Sequence, residues 1–222
     1  MAVKVLLSAK ICGLLLGLCG VAASQPASGV SPAAHAVPET QAAPAEVITS
    51  AVAAVNDLGK QIVMGKFQAG IERMNPLWKE RTAARVGGIA ELEKQLEEVS
   101  RQMVAQGVSI ISFEPKGAPR SFEVGPGKKV ETINGRAVES LIYTKWMVLV
   151  PTSTKFRIFP KSQPKPLFIE STSYQVAIAD KGTSNWTFID GSNLSLGELR
   201  KLFINLPSDL VLPPVQKKEA AN

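Results

Sequence analysis

Histidine and cysteine, which commonly perform catalysis or bind metals, are few in this chain and lie near its start. The only histidine is His35, and the two cysteines, Cys12 and Cys19, come earlier still. The chain after position 35 therefore lacks both an imidazole and a thiol. For that part we exclude Cys–His and Ser–His–Asp nucleophilic catalysis, proton transfer by histidine near neutral pH, and zinc sites built on histidine or cysteine.

Carboxylates and tyrosines are the remaining groups that could transfer a proton. The chain has two tyrosines, Tyr143 and Tyr174. Four glutamates are predicted to lie at strand ends or on solvent-facing positions: Glu114, Glu131, Glu139 and Glu170. The sequence therefore predicts no catalytic residue and no cofactor, and it does not indicate which residues would bind a ligand.

Other polar motifs match turns or solvated faces. Asp180 and Asp190 each stand alone before a turn glycine, without the alternating Asp/Asn pattern of a calcium loop, so we predict no metal site. A looser group of cations could meet an anionic polymer, although a solvated face, with lysines that protect a sheet edge, is the favoured interpretation. This predicted basic edge consists of Lys155, Arg157, Lys161 and Lys165.

The N-terminus has the pattern of a secretory signal peptide over residues 1–24. Lys4 and Lys10 precede an apolar run that ends in small residues, and cleavage is predicted after Ala23 or Ser24. The run of about 13 residues is shorter than the roughly 20 that a spanning helix needs, so we expect no stable membrane span. A lipoprotein anchored at Cys19 is an alternative that the bulky residue before it disfavours. The predicted location is periplasmic or secreted.

Removal of the signal peptide would leave a chain without cysteine, and the formal net charge would fall from +6 to +4 because Lys4 and Lys10 are lost. Without disulfides the protein must be stabilised by a hydrophobic core. Residues 25–45, rich in proline and alanine, are predicted to be a flexible linker, residues 46–214 one domain, and residues 215–222 a polar tail. The weak positive charge and the absence of long basic runs give no indication of nucleic-acid binding.

Apolar residues repeat at helical spacing from position 46 to about 106. The pattern predicts helices over 46–62, 67–74 and 89–103, with a brief piece from Leu77 between the last two and a stop at Gly107. A short helix is also predicted from Ser195, because Glu198 three residues later completes a capping box.

After Gly107 the repeat of apolar residues shortens to two, which predicts strands. The predicted strands cover 108–113, 143–150, 154–159, 169–179 and 186–189, and Asn134-Gly135 is the centre of a tight hairpin. Trp186 is predicted to be a core anchor and not a platform for a ligand. Helices followed by an antiparallel sheet define an α+β fold.

The run from Ser173 to Gly182, continued by Asn185 to Gly191, resembles the terminal hairpin of small exported bacterial proteins in the NTF2-like superfamily. Leu206-Pro207, with Leu210, Leu212 and Pro213, resembles their ending. The resemblance implies N-terminal helices packed on a curved antiparallel sheet, a cystatin/NTF2-like cone with a pocket. It also implies several functions, because this superfamily includes isomerases, dehydratases, transport adaptors and domains without known activity.

Three functions remain open at this point. The leading hypothesis is a non-catalytic exported domain that binds a small apolar ligand in its pocket or a protein partner on its sheet. The alternative is a cofactor-free isomerase or lyase, with acid/base residues in the pocket beside Tyr143 or Tyr174. The third is a structural role in an envelope assembly. A homodimer through the sheet face is a further expectation from the resemblance.

Overall fold

Helices occupy the first part of the chain and strands most of the rest. The computed structural model describes residues 42–133, 135–160 and 165–220, within the compact unit Thr40–Asn222. The helices are α1 (Ala45–Val63), α2 (Gln68–Glu72), α3 (Pro76–Val86), α4 (Ile89–Ala105) and α5 (Leu196–Leu202). The strands are β1 (Val108–Pro115), β2 (Arg120–Ile133), β3 (Arg136–Ile158), β4 (Leu167–Asp180), β5 (Thr187–Asp190) and β6 (Gln216–Glu219). The predicted α+β class is confirmed, and the predicted signal peptide lies outside the described residues.

The six strands form one antiparallel sheet centred on β3 and β4. The strand order is β1-β3-β4-β5, while β2 pairs with the first part of β3 and β6 with the first part of β4. The two strands predicted at 143–150 and 154–159 are in fact one continuous strand of 23 residues. Their separation in the sequence analysis was therefore wrong.

Pro151 does not interrupt β3 because it lies where the strand changes neighbours. Pairing with β2 reaches Leu149, and pairing with β1 begins at Thr152. The Pro151 carbonyl accepts a hydrogen bond from the Lys116 amide at 2.8 Å on this side of the strand. The backbone N and O of one residue point to the same side of a strand, so the Pro151 nitrogen also faces the gap between β2 and β1. Because neither β2 nor β1 pairs with Pro151, its lack of an N–H costs no hydrogen bond of the sheet.

Helix α1 covers one face of the sheet. Ala51, Val55 and Leu58 recur on one side of the helix and are buried, as the spacing predicts. Gly59 permits close approach, because a Cβ there would lie 2.3 Å from Cδ1 of Phe113. This α1-side cluster consists of Ala43, Ala51, Val55, Leu58, Ala69, Trp146, Val148, Val150, Ala177, Ala179, Trp186 and Phe188.

The opposite face is covered by α5 and the chain that follows it. The predicted capping box is present: the Ser195 hydroxyl accepts from the Glu198 amide, and the Glu198 carboxylate accepts from the Ser195 amide. This α5-side cluster consists of Phe122, Val124, Met147, Leu149, Tyr174, Val176, Ile178, Ile189, Leu194, Leu199, Phe203, Leu206 and Leu210. The centre of the sheet is therefore buried on both faces.

Both limits of the domain differ from the predicted 46–214. At the N-terminal end Ala43 is buried, and its amide donates to the Ser121 hydroxyl at 2.9 Å. At the C-terminal end β6 lies inside the predicted polar tail and pairs with β4 between Ile169 and Thr172. The tail was not recognised as a strand because all four of its residues are polar and exposed.

Candidate functional site

The outer part of the β2–β3 hairpin extends beyond the buried sheet, and we call residues 126–133 and 136–143 the arm. Ile133 pairs with Arg136, and Gly135 lies in the turn before Arg136, where the sequence predicted a tight hairpin. Gly135 has a φ of 77°, a value that glycine adopts without strain. Pairing of β3 with β4 begins only at Lys145, so β4 does not support the arm.

Large apolar side chains on the arm are exposed to solvent. The exposed fractions are 60% for Val130, 43% for Val138, 49% for Leu141 and 38% for Ile142. The register places Val130 and Leu141 on one face of the arm and Val138 and Ile142 on the other. None of the four belongs to the α1-side or the α5-side cluster. Exposed apolar residues grouped in this way are typical of an interaction surface.

Charged side chains alternate with these apolar residues. Lys128 Nζ lies 2.9 Å from Glu139 Oε2 on one face, and Lys129 Nζ lies 2.6 Å from Glu131 Oε1 on the other. All four side chains are at least half exposed, and exposed pairs of this kind contribute about 1 kcal/mol or less. The pairs keep the arm soluble but stabilise it little.

Tyr143 lies at the root of the arm, where β3 enters the folded body. It is only 5% exposed, and its hydroxyl has no hydrogen-bond partner among the described residues. A buried polar group without a partner is costly and calls for a reason. The root is therefore the part of the arm where a polar group of a partner would relieve an existing cost.

Tyr174, the second candidate acid, belongs to the α5-side cluster. Its hydroxyl donates to the Leu194 carbonyl at 3.4 Å, and burial, with a smaller contribution from the Asp190 charge, raises its pKa to about 12. Tyr174 pairs with Pro151, eight residues along β3 from Tyr143, or roughly 26 Å at about 3.3 Å per residue. The two tyrosines therefore cannot act in one site.

The four predicted surface glutamates do not share one environment. Glu114, Glu131 and Glu139 are exposed, as predicted, but the prediction was wrong for Glu170, which is buried. Glu170 Oε1 accepts from the Ser153 hydroxyl at 2.8 Å and from Lys116 Nζ at 3.1 Å, and Lys218 Nζ lies 3.2 Å from Oε2. These hydrogen bonds, that of Ser153 first, lower the pKa of Glu170 to about 2. Glu170 is therefore ionised at neutral pH and unsuited to donate a proton.

Lys155 and Arg157 lie on a solvated face, as predicted, but they do not protect a sheet edge, so that part of the prediction was wrong. They lie on β3, between β1 and β4, and reach solvent only from the face of the sheet. Arg157 stacks on Phe159, with 5.2 Å from its guanidinium carbon to the ring centroid. Lys165 is exposed and Lys161 lies outside the described residues.

The two aspartates of the predicted turns have structural roles. Asp190 Oδ1 accepts from the Ser192 amide at 3.1 Å and starts a short 3₁₀ turn, Gly191–Asn193. The Asp180 carbonyl accepts from the Thr183 amide. Within residues 42–133, 135–160 and 165–220, no group of three or more His, Cys, Asp or Glu side chains could hold a metal ion.

Trp186 is a core anchor, as the sequence predicted. It is buried in the α1-side cluster, and its Nε1 donates to the Ser50 hydroxyl of α1 at 2.9 Å. Trp146 belongs to the same cluster, with Lys181 Nζ 4.6 Å from its ring centroid, and Lys181 also pairs with Glu123. This face of the sheet is occupied by aromatic side chains.

No protein-family model matches the chain, and searches of curated proteins and of solved structures found no match. No helix among the described residues combines the length and apolar character needed to cross a bilayer. The function must therefore be inferred from the residues themselves.

Proposed function

We propose that the protein is an exported, non-catalytic binding domain and that its arm contacts a protein partner. The observation that carries the proposal is the exposure of Val130, Val138, Leu141 and Ile142 on the arm, none of whose residues belongs to either core cluster. Export is supported by Lys4, Lys10 and the apolar run that follows them. Because the apolar side chains of the arm do not pack in the core, they are better explained by contact with a partner.

A protein partner is favoured over a small apolar ligand because both faces of the central sheet are already covered. A small-molecule site needs a hollow lined by apolar side chains. On the α1 side, Trp146, Trp186 and Phe188 are buried against the strands, and on the other side Leu199 and Phe203 are. A protein can instead bind the surface of an extended hairpin.

The relationship to NTF2-like proteins is part of this proposal. It is supported by the order of elements, four helices followed by antiparallel strands, and by the packing of α1 on the sheet. A cone of that type would have its hollow on the α1 face. Its lining would include Trp146, Trp186 and Phe188.

An isomerase or lyase is the less favoured alternative. Such a reaction needs a carboxylate base beside a hydrogen-bond donor in a closed pocket. The Tyr174 hydroxyl is bonded to a backbone carbonyl, and Glu170 is bonded to Ser153, Lys116 and Lys218. Neither arrangement is prepared to bind a substrate.

Site-specific photocross-linking in cells that export the protein tests the proposal. A benzoyl-phenylalanine at Leu141 should form discrete adducts with a protein. The same probe at Ile204, an exposed residue far from the arm in the chain, is the matched control and should form none. Adducts absent from Leu141, or equal at the two positions, would contradict the proposal.

A further inference from the structure

The outer edge of β2 is open along the arm. In the described part of the chain, β2 pairs with β3 and with no other strand. At the opposite edge, β5 exchanges backbone hydrogen bonds at Phe188 with the segment between α2 and α3: the Phe188 amide donates to the Arg73 carbonyl and the Asn75 amide to the Phe188 carbonyl, both at 2.8 Å. The arm therefore offers an unpaired edge to another strand.

The turn geometry determines which backbone groups face outward from β2. In a two-residue hairpin the closing pair, here Ile133 and Arg136, is hydrogen-bonded, and bonded pairs alternate along the ladder. The carbonyl of Lys129 accordingly faces β3, where it accepts from the Ser140 hydroxyl at 3.4 Å. Lys128, Val130 and Thr132 then direct their N–H and C=O groups to the open edge. Pro126 also faces the open edge but has no N–H, so the series of outward-facing N–H groups ends there, at the root of the arm.

The charges on β2 complement those of a second copy in one register. Two identical strands that pair antiparallel about a two-fold axis perpendicular to the sheet must place one residue opposite itself. With Val130 at that position, Lys129 lies opposite Glu131 of the second copy, and this pair occurs twice. Centring on Lys129 or Glu131 instead gives no pair of opposite charges.

The outer edge of β3 lacks this property. Centring on Val138 places Ala137 opposite Glu139, and centring on Glu139 places Val138 opposite Ser140. Neither arrangement pairs opposite charges. Charge complementarity thus selects one edge and one register.

We propose that two copies of this chain pair antiparallel through the β2 edges of their arms, with Val130 opposite Val130 and Lys129 opposite Glu131. The edge-facing groups of Lys128, Val130 and Thr132 become paired across the axis, and the two Val130 side chains meet on one face. The inference rests on the proposed function, since it names the partner of the arm. The contact is small, so the dimer should be weak and reversible.

Charge reversal tests this pairing on the protein as the exporting cell produces it. K129E places two glutamates opposite each other, and E131K places two lysines opposite each other. Each variant should dimerise about ten-fold more weakly than the wild type in sedimentation velocity. K128E is the matched control, because Lys128 lies opposite Thr132 in this register, and it should dimerise like the wild type.

Mixing the two variants separates a contact between chains from the pair within one chain. Lys129 already pairs with Glu131 of its own chain, and each single variant breaks that pair too. When K129E and E131K chains are mixed, the pairs between chains become complementary while the pairs within each chain remain repulsive. Recovery of wild-type association in the mixture would support the proposal, and failure to recover would overturn it.

Two further measurements distinguish failure of self-pairing from failure of the proposed function. A wild-type protein that stays monomeric up to millimolar concentration overturns the self-pairing. If Leu141 then cross-links to a different protein, the arm is still a binding surface and only its partner was misidentified. If Leu141 forms no adduct with any protein, both proposals fail.

Discussion

The inner and outer halves of the β2–β3 hairpin have the same backbone pairing but opposite surroundings. In the inner half, Phe122, Val124, Met147 and Leu149 are buried in the α5-side cluster. In the arm, Val130 and Leu141 belong to equivalent faces of the same ribbon but remain exposed. The difference shows that pairing between β2 and β3 does not by itself bury a side chain. Burial requires contact with β4, α1 and α5, and this contact ends near Lys145.

The change of surroundings coincides with features of the chain at the root. β4 ends at Asp180, opposite Lys145, and the chain then turns at Lys181 and Gly182, so none of the described strands flanks the arm on that side. Gly125 has a φ of 72°, and the Thr144 hydroxyl donates to its carbonyl at 2.8 Å. We infer that the inner half of the hairpin stabilises the fold and that the arm binds a partner.

The strongest test of this division is a matched pair of substitutions in β3. Leu149→Ala removes a fully buried side chain, and we expect a loss of about 3 kcal/mol in the free energy of unfolding. Leu141→Ala removes the same atoms from an exposed position and should cost about 0.5 kcal/mol or less. Urea denaturation measures both. Equal losses would show that the arm is part of the cooperative core.

A substitution at Glu170 tests the inner part of the sheet through a smaller, pH-dependent effect on stability. Its pKa in the folded protein, about 2, lies below its ordinary value of 4.5, so the charged carboxylate stabilises the fold above pH 4.5 and this contribution is lost as the pH falls through about 2. Glu170→Gln should therefore lower the urea midpoint at neutral pH, and the difference from the wild type should vanish at the acid end. Glu114→Gln, an exposed control on β1, should change little at any pH.

The smallest effect in this series is expected at the start of α5, which covers the inner half. Ser195→Ala removes the hydroxyl that accepts from the Glu198 amide, and loss of an N-cap costs about 1 kcal/mol. Thermal unfolding should show a lower midpoint, with dimerisation unchanged because the arm is not involved. Replacement of Ser195 by Asp, another good N-cap, should restore most of the loss. A cap substitution that weakened dimerisation would argue against separate roles for the two halves.

Sequence patterns predicted those helices and turns whose formation depends on their own residues. The α1 face at Ala51, Val55 and Leu58, the capping box at Ser195 and the turn at Gly135 all follow from local spacing or turn chemistry. The continuity of β3 did not, because Pro151 reads as a strand breaker unless one knows that β2 and β1 meet there. The pairing of β6 was missed for a similar reason, since a polar strand has no periodic apolar signal.

The candidate site was harder to predict from sequence than the fold. Val130 stands between Lys129 and Glu131, and Val138 precedes Glu139, as in a half-buried strand, so the exposure of these valines depends on where β4 ends. Burial of Glu170 likewise depends on Lys116 and Lys218, which approach it from distant positions in the chain. The absence of histidine and cysteine beyond position 35, by contrast, could be read directly from the sequence.

Amide hydrogen exchange, followed residue by residue at two protein concentrations, tests most directly whether the arm is separate from the core and available for pairing. We predict that Val148 and Leu149 exchange only by global unfolding at both concentrations. Val130 and Thr132, whose amides face the open edge, should exchange rapidly when the protein is dilute and become protected when it is concentrated. Arm amides as well protected as those of Val148 in dilute protein, or equally unprotected at both concentrations, would contradict this account.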